Sequence, residues 1–415
     1  MIRVEKLKCG TTVILEKTDF VQSTAFGIWV KSGAMYEDDS VYGVSHYIEH
    51  MMFKGTKLRN AREIAEQVDN IGGVFNAFTG KEATCYYIKT LASNIYKGAE
   101  ILIDMVTSSV FDQDEMDKER QVILEEIKMV KDTPDDDVYD TISELVNSGN
   151  ALKNNILGSP ESLAGINRDK MVDYYRTRYV TENLVVAVSG SFDEDEMIKY
   201  LEGKFDALGK IAPKDSYEMK PYVPKFDVKV KDIEQTHICL AVPSVSLDDD
   251  QYYTHVLMSN ILGGSMSSRL FQTIREEKGL AYTVCSMNSF NSFTGFFSIY
   301  AGVAHENIGQ TIEEIRNELN LFAEKGVTEE ELERAREQVK SSYIFGLESV
   351  NSRMFGLGKN RLLLGKNYTA EEVLGGFDSV TSEDILKVAE MVGDITKYSG
   401  AAVTGAAFDL EGMIK

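Results

Sequence analysis

The sequence predicts an α+β fold of two homologous units, each a mostly antiparallel sheet packed against helices, joined by a proline-containing linker. Apolar strands alternate with amphipathic helices in both halves of the 415-residue chain, a pattern typical of sheets packed under helices. The order of these elements repeats once, and prolines cluster near the middle of the chain. With 43% hydrophobic residues, the chain is long enough to bury more than one core.

The repeat is visible in matched segments. Each half has an apolar strand that precedes an acidic loop and a helix, and each continues with further helical segments. The segments pair in the same order: 25–31 with 237–242, 94–106 with 307–319, and 112–127 with 328–343. Since order and spacing are both kept, the chain is predicted to be a duplicated α+β unit.

Three of the six prolines lie close together, at Pro213, Pro221 and Pro224. Such a stretch suits neither a helix nor a central strand, so it predicts a linker. The predicted organisation is an N-terminal domain at 1–212, a linker at 213–225 and a C-terminal domain at 226–415.

The formal net charge of −22 disfavours nucleic acid and anionic membrane surfaces as partners. The acidic balance has two interpretations, namely simple solubility or an acidic enclosure that attracts basic peptides. The sequence has no run of about 18 apolar residues, so no membrane-spanning helix is predicted.

The first residues alternate like a strand and lack the apolar core of a signal peptide. The four cysteines are scattered, without a Cys-x-x-Cys pair. Isolated cysteines in a chain of this length are typical of reduced, mostly buried thiols. We therefore expect a cytoplasmic protein.

Two histidines and a glutamate form the most specific motif, in the run His46-Tyr47-Ile48-Glu49-His50. In a helix, residues four apart share a face, so both imidazoles can reach one divalent metal ion. The carboxylate between them then lies beside the ion, where it can accept a proton from water. The order His-x-x-Glu-His is the inverzincin signature.

The predicted helix also has a core face opposite this motif. That face consists of apolar residues: Val44, Ile48, Met51 and Met52. The alternative interpretation is a solvated polar face with two incidental histidines. Because the chain has only five histidines, two at ligand spacing around a glutamate favour a metal site.

The helix that begins near Asp114 offers a third ligand, and catalytic zinc usually takes three from the protein. Its buried stripe mixes apolar and acidic residues: Met116, Glu119, Ile123, Glu126, Ile127 and Val130. Buried carboxylates need a cation or a strong donor. Glu125 is turned about 100° away from Glu126 and is expected to be solvated. The alternative is a helix that is merely rich in charge.

The internal repeat favours ligation by these carboxylates. The aligned pairs are His46 with Val256, Glu49 with Ser259, His50 with Asn260, Glu119 with Ala335, and Glu126 with Ser342. The second copy has thus lost the histidines and both carboxylates together. One metal site per chain is predicted, in the first half.

On these residues the chain resembles the pitrilysin/insulinase-type zinc metallopeptidases, in particular the shorter branch that contains mitochondrial processing peptidase. The family pattern is His-x-x-Glu-His followed by a distant glutamate, and Glu126 follows His50 by 76 residues. The resemblance implies one Zn²⁺ per chain, held by His46, His50 and Glu126. It implies Glu49 as the general base and Glu119 as an assisting glutamate.

A second match to the family lies in the second half, at Arg275 and Tyr282, seven residues apart. In the family, such a pair orients the substrate backbone and the scissile carbonyl. Without the resemblance, Arg275 would be read as a surface charge and Tyr282 as the start of a strand.

The segment 72–80 resembles the family's edge strand, which implies that Asn76, Ala77 and Phe78 pair with substrate. It equally fits a plain hairpin strand. The long glycine-rich loop of the processing peptidase's noncatalytic subunit is absent, with only Gly263 and Gly264 at a comparable place.

The expected function is zinc-dependent endoproteolysis of unfolded or extended peptides, with Tyr282 donating to the developing oxyanion. Because Arg275 and Tyr282 lie in the other half from the metal motif, we expect a homodimer in which they act in trans and which encloses a chamber. Two alternatives remain open. One is a noncatalytic scaffold or core subunit with the same fold, and the other is a catalytic subunit that needs an inactive partner chain.

Overall fold

The computed structural model describes residues 2–415. Its strands are β1 Ile2–Lys6, β2 Thr12–Lys17, β3 Ser23–Val30, β4 Val74–Thr79, β5 Thr84–Leu91, β6 Leu184–Gly190, β7 Phe226–Val230, β8 Gln235–Ser244, β9 Ala281–Phe290, β10 Gly295–Ala304 and β11 Ser399–Thr404. These strands form two sheets, one in each half of the chain, as the repeat predicts.

The helices surround these sheets. They are α1 Val44–Met52, α2 Ala61–Asn70, α3 Ile95–Ser108, α4 Gln113–Asp132, α5 Pro134–Val146, α6 Pro160–Gly165, α7 Arg168–Arg178, α8 Glu194–Leu201, α9 Tyr252–Gly263, α10 Ile308–Lys325, α11 Glu329–Gly346, α12 Val350–Leu364, α13 Ala370–Asp378, α14 Ser382–Val392 and α15 Leu410–Ile414. Within residues 2–415, no helix has both the length and the apolar character needed to cross a membrane.

The first sheet has the order β1-β2-β6-β3-β5-β4. Its neighbours are antiparallel except β2 and β6, which run parallel. One face packs against α1 and α3 in a large apolar core. The opposite face is covered by α12, whose Val350, Met354 and Leu357 pack against Trp29 and its neighbours. Both faces are therefore buried, which explains why β3 and β6 are apolar along almost their whole length.

The second sheet repeats this plan with the order β7-β11-β8-β10-β9. Only β7 and β11 are parallel. One face packs against α9, α10 and α14. The other face is covered by α5, whose Val138, Ile142 and Val146 contact residues of β8 and β11. The predicted fold class, mostly antiparallel sheets packed against helices, is confirmed.

The compact units differ from the predicted domain boundaries, because each sheet is completed by a helix from the other half of the sequence. One unit contains 2–128, 154–217 and 345–367, and the other contains 129–153, 218–344 and 368–415. Helix α5 therefore belongs with the second sheet and α12 with the first. Each sheet has two apolar faces, and the helices of its own half cover only one of them. The segment 211–225 carries neither helix nor strand.

Helix α12 approaches the first sheet closely at Gly358. A Cβ atom at this position would lie 2.1 Å from Trp29 Nε1. The absence of a side chain at Gly358 thus lets the helix backbone rest directly on the indole ring.

Candidate metal centre

Helix α1 carries the motif and is fixed at its N-terminus by Glu37. The carboxylate of Glu37 accepts the backbone N–H groups of Gly43 and Ser45, each at 2.7 Å. An acid at this end of a helix also complements the helix dipole. Burial raises the pKa of Glu37 to about 7, although these backbone hydrogen bonds oppose the shift. Glu37 lies in the acidic loop noted in the sequence, but its capping role could not be read from it.

The core face predicted for α1 is confirmed, since its four apolar residues are fully buried: Val44, Ile48, Met51 and Met52. These contacts turn His46, Glu49 and His50 the other way, as helical periodicity requires. His46 is also buried, with 7% of its surface exposed. The alternative of a solvated polar face therefore does not describe this helix.

The two histidines and Glu126 bring three donor atoms together. Glu126 Oε2 lies 3.7 Å from His46 Nε2 and 3.6 Å from His50 Nε2. The three ligand atoms all lie within 4.8 Å of one another. Among residues 2–415, this is the single cluster of three or more such residues that could hold a metal ion.

The spacing of these atoms fits zinc. Ligand atoms about 2.0–2.1 Å from a tetrahedral Zn²⁺ lie about 3.3–3.4 Å apart. The observed 3.6 and 3.7 Å separations are close to that value. Two imidazoles and one carboxylate, without a thiolate, form the donor set of catalytic zinc sites rather than structural ones.

Glu119 contacts the site without joining the donor cluster. It is 6% exposed, and its Oε2 lies 3.0 Å from His50 Nδ1. Because a carboxylate can only accept hydrogen bonds, this contact places the proton of His50 on Nδ1 and leaves Nε2 free to bind a metal. His46 Nδ1 is buried and has no hydrogen-bond partner within residues 2–415.

The electrostatics of the cluster suit a cation. Burial, together with the charge of His50, lowers the pKa of His46 to about 4, so its imidazole is neutral at pH 7. Burial opposes charge on His50 too, but hydrogen bonds with Glu126 and Glu119 outweigh it and raise the His50 pKa. The hydrogen bond from His50 lowers the pKa of Glu126. The carboxylates that favour a proton on His50 would equally favour a metal ion.

Glu49 lies beside the cluster on the same helix. Burial raises its pKa, against an opposing hydrogen bond from Thr79. Thr79 Oγ1 donates this bond to Glu49 Oε2 at 2.5 Å. A carboxylate with a raised pKa is better suited to accept a proton from water near neutral pH.

Thr79 belongs to β4, which lies at the edge of the first sheet. The predicted edge strand is thus present. The side chains of Phe75 and Ala77 pack on the same core as α1. Phe78 instead packs against Trp29 and Phe355, with ring centroids 5.5 and 5.6 Å away, on the face covered by α12. Asn76 Oδ1 accepts the backbone N–H of Ala77 at 2.8 Å.

Arg275 and Tyr282 lie side by side in the second unit. Arg275 is on a π-helical segment, Phe271–Glu277, and Tyr282 is near the start of the edge strand β9. The guanidinium carbon of Arg275 lies 5.3 Å from the centre of the Tyr282 ring, within cation–π distance. Tyr282 is 76% exposed, so its ring is available to a ligand.

The equivalent place in the second unit has no metal chemistry. Ser259, which aligns with Glu49, exchanges hydrogen bonds with Ser286. Ala335, which aligns with Glu119, is buried against the apolar core. In the second unit, the residues that replace Glu49 and Glu119 thus make ordinary structural contacts instead of forming a metal site.

Two side-chain contacts at the site are not predicted from the sequence. Lys54 Nζ lies 2.5 Å from Glu119 Oε1. Thr79 donates a hydrogen bond to Glu49, as described above. Lys54 follows His50 by four residues, a helical spacing that could have drawn attention to it. Thr79 had no local signal, because its contact joins a strand to a helix 30 residues away.

Comparison with known proteins places the chain in a family. Residues 12–160 match the model described as insulinase (peptidase family M16), and residues 165–339 match the model described as peptidase M16 inactive domain. The three clustered donors, His46, His50 and Glu126, lie within the first of these matches.

Two bacterial relatives are similar along most of their length. A Bacillus subtilis (strain 168) protein named uncharacterized zinc protease YmxG is 40% identical over 395 residues, covering 94% of this chain and 96% of the relative. A Rickettsia bellii (strain RML369-C) protein named uncharacterized zinc protease is 38% identical over 390 residues, covering 94% of each.

Solved structures share the fold. The peptidase M16 inactive domain from Pseudomonas fluorescens superposes with a TM-score of 0.91 at 17% identity, over 98% of both chains. A chain of Complex III2 from Candida albicans, with Inz-5 bound, gives a TM-score of 0.84 at 18% identity, over 100% of this chain and 99% of that chain. From the matched models and the similarity to bacterial zinc proteases, this chain belongs to the insulinase family of peptidases, family M16.

Proposed function

We propose that this chain is a zinc-dependent endopeptidase that cleaves unfolded or extended peptides. The observation that carries the proposal is the convergence of His46, His50 and Glu126 with a half-buried carboxylate, Glu49, beside them. Membership of a peptidase family and relatives named zinc proteases support a peptidase.

His46 and His50 would hold the metal through Nε2, and Glu126 through Oε2. When bound, zinc would polarise the scissile carbonyl and lower the pKa of water at the site. Glu49 would accept the proton of the attacking water as the water oxygen bonds to the carbonyl carbon. Thr79 occupies Glu49 Oε2, so Oε1 is the oxygen free to take that proton. As the carbon–nitrogen bond breaks, Glu49 would pass the proton to the leaving amine.

The edge strand β4 provides a place for an extended substrate. One side of β4 pairs with β5, and the other side of an edge strand offers unpaired main-chain groups. A peptide added there would bind through its backbone, with little demand on its sequence. Thr79 ends this strand and bonds Glu49, so the bound backbone would lie next to the general base.

We expect purified protein to carry about one zinc per chain and to cleave unstructured peptides in a chelator-sensitive way. Basic and acidic peptides of equal length would be digested with and without chelator, and zinc would then be added back. The net charge of −22 should favour the basic peptides through electrostatic attraction. Zinc-loaded protein that cleaves neither peptide would contradict the proposal and favour a noncatalytic scaffold.

The scaffold alternative deserves this direct test because the fold is shared with a chain of Complex III2. A likeness at 18% identity concerns the fold alone. The complete donor set of the first unit favours catalysis, since a scaffold has no need of a general base beside three metal ligands.

We further propose that the active form is a homodimer in which Arg275 and Tyr282 of one chain complete the metal site of the other. Tyr282 would donate a hydrogen bond to the developing oxyanion. Arg275, held beside it, would orient the peptide backbone. Paired chains of this kind would enclose the substrate in a chamber that excludes folded proteins.

Co-expression of Glu49→Gln and Tyr282→Phe chains tests the arrangement in trans. Mixed dimers would contain one complete site, so random pairing should restore roughly a quarter of wild-type activity in a two-fold symmetric dimer. The matched control pairs Glu49→Gln with Glu126→Gln, whose lesions lie in the same half, and should restore none. Absence of recovery in the first mixture would mean that each chain acts alone or needs a different partner.

A further inference from the structure

Both oxygens of the buried Glu119 carboxylate are engaged, each by a different group. Oε2 lies 3.0 Å from His50 Nδ1, and Oε1 lies 2.5 Å from Lys54 Nζ. The Glu119 side chain is 8% exposed and that of Lys54 is 29% exposed. Lys54, Glu119 and His50 therefore form a continuous chain of contacts that ends on a predicted zinc ligand.

We propose that Lys54 is a positioning residue for the metal site, which acts on His50 through Glu119. The inference rests on the proposed zinc-dependent function and assigns a residue to it. Lys54 lies two residues beyond the end of α1, so the cation that binds the Glu119 carboxylate on α4 directly follows the helix that carries both histidines.

The physical reason is that the Glu119 carboxylate must keep a fixed orientation in order to accept a hydrogen bond from the His50 imidazole. A buried carboxylate is costly without a cation, and Lys54 supplies that cation. By binding Oε1, Lys54 also restricts rotation of the carboxylate and keeps Oε2 directed at Nδ1 of His50. The hydrogen bond at Nδ1 in turn sets the tautomer and the ring orientation that present Nε2 to the metal.

An exposed ion pair would have little such influence, because screening and side-chain entropy offset most of its energy. This pair differs, since Glu119 is nearly inaccessible to solvent, so water cannot readily replace Lys54 as the partner of its carboxylate. Outer partners of this kind typically change metal affinity by about 10- to 100-fold.

The experiment measures zinc release from metal-loaded protein to a coloured chelator. Lys54→Met should release zinc about 10- to 100-fold faster than wild type, whereas Lys54→Arg, which keeps the cation, should remain within a few-fold. Lys57→Met removes an exposed lysine three residues further on and should leave the rate unchanged. Lys54→Gln replaces Lys54→Met if the methionine variant does not fold.

A double variant separates positioning from general stability. If Lys54 acts through Glu119, then Lys54→Met combined with Glu119→Gln should release zinc no faster than Glu119→Gln alone. Fully additive effects, or wild-type release from Lys54→Met and Lys54→Gln, would overturn the inference while leaving the zinc site in place. Wild-type protein that binds no zinc would instead overturn the proposed function itself.

Discussion

Glu49→Gln is expected to abolish peptide cleavage while leaving zinc in place. Glutamine keeps the size of the side chain and can still bond Thr79, but it cannot accept a proton from water. Loss of a general base typically lowers kcat by about 10²- to 10⁴-fold. Glu49 is not one of the clustered donors, so metal content should remain at the wild-type level.

The measurement pairs metal analysis with single-turnover cleavage of an unstructured peptide. Glu66→Gln is the matched control, because Glu66 is a half-exposed glutamate paired with Arg62 and should tolerate the same chemical change. Near-wild-type turnover by zinc-loaded Glu49→Gln would exclude this residue as the base. Loss of zinc from the variant would instead show that Glu49 supports the site structurally.

Glu126→Gln is expected to lose both zinc and activity. It removes the charge of the donor that lies between the two imidazoles, 3.7 and 3.6 Å from their Nε2 atoms. Because loss of an outer partner already lowers metal affinity about 10- to 100-fold, loss of a direct ligand should lower it by more than about 100-fold. Zinc affinity would be measured by competition with a chelator of known strength.

The neighbouring glutamate provides the control for this change. Glu125 is 72% exposed and pairs with Lys128, so Glu125→Gln should bind zinc as the wild type does. If Glu126→Gln held zinc at wild-type affinity, the third ligand would have to come from elsewhere, and the assignment of α4 to the metal centre would fail.

Most of the candidate metal centre could be predicted from the sequence, because the signals for it lie within single helices. Helical spacing placed His46 and His50 on one face, and the buried stripe of α4 singled out Glu119 and Glu126. The prediction that Glu125 is solvated is confirmed by its exposure. The distinction between Glu119 and Glu126 came from the family resemblance, and the structure agrees with it, since Oε2 of Glu126 faces both imidazoles.

Contacts between distant elements could not be predicted. The bonds of Thr79 to Glu49 and of Lys54 to Glu119 depend on how a strand and two helices meet in space. A periodic pattern says which face of an element is buried, but not which partner lies opposite.

The exchange of α5 and α12 shows the same limit at the level of domains. Each helix has an apolar face that packs on a sheet, but nothing in either helix specifies the sheet that it covers. A proline-rich stretch at 213–225 suggested a simple division of the chain, whereas the compact units each draw on three separate segments.

The placement of α12 has a consequence for biosynthesis. The first sheet is complete in strands once β6 has been made, yet the indole of Trp29 and its neighbours remain without cover until residues 350–364 emerge from the ribosome. During the intervening synthesis this apolar surface faces solvent or a chaperone. The nascent protein therefore cannot finish its N-terminal half first, because the first sheet must wait for α12 and the second must wait for β11.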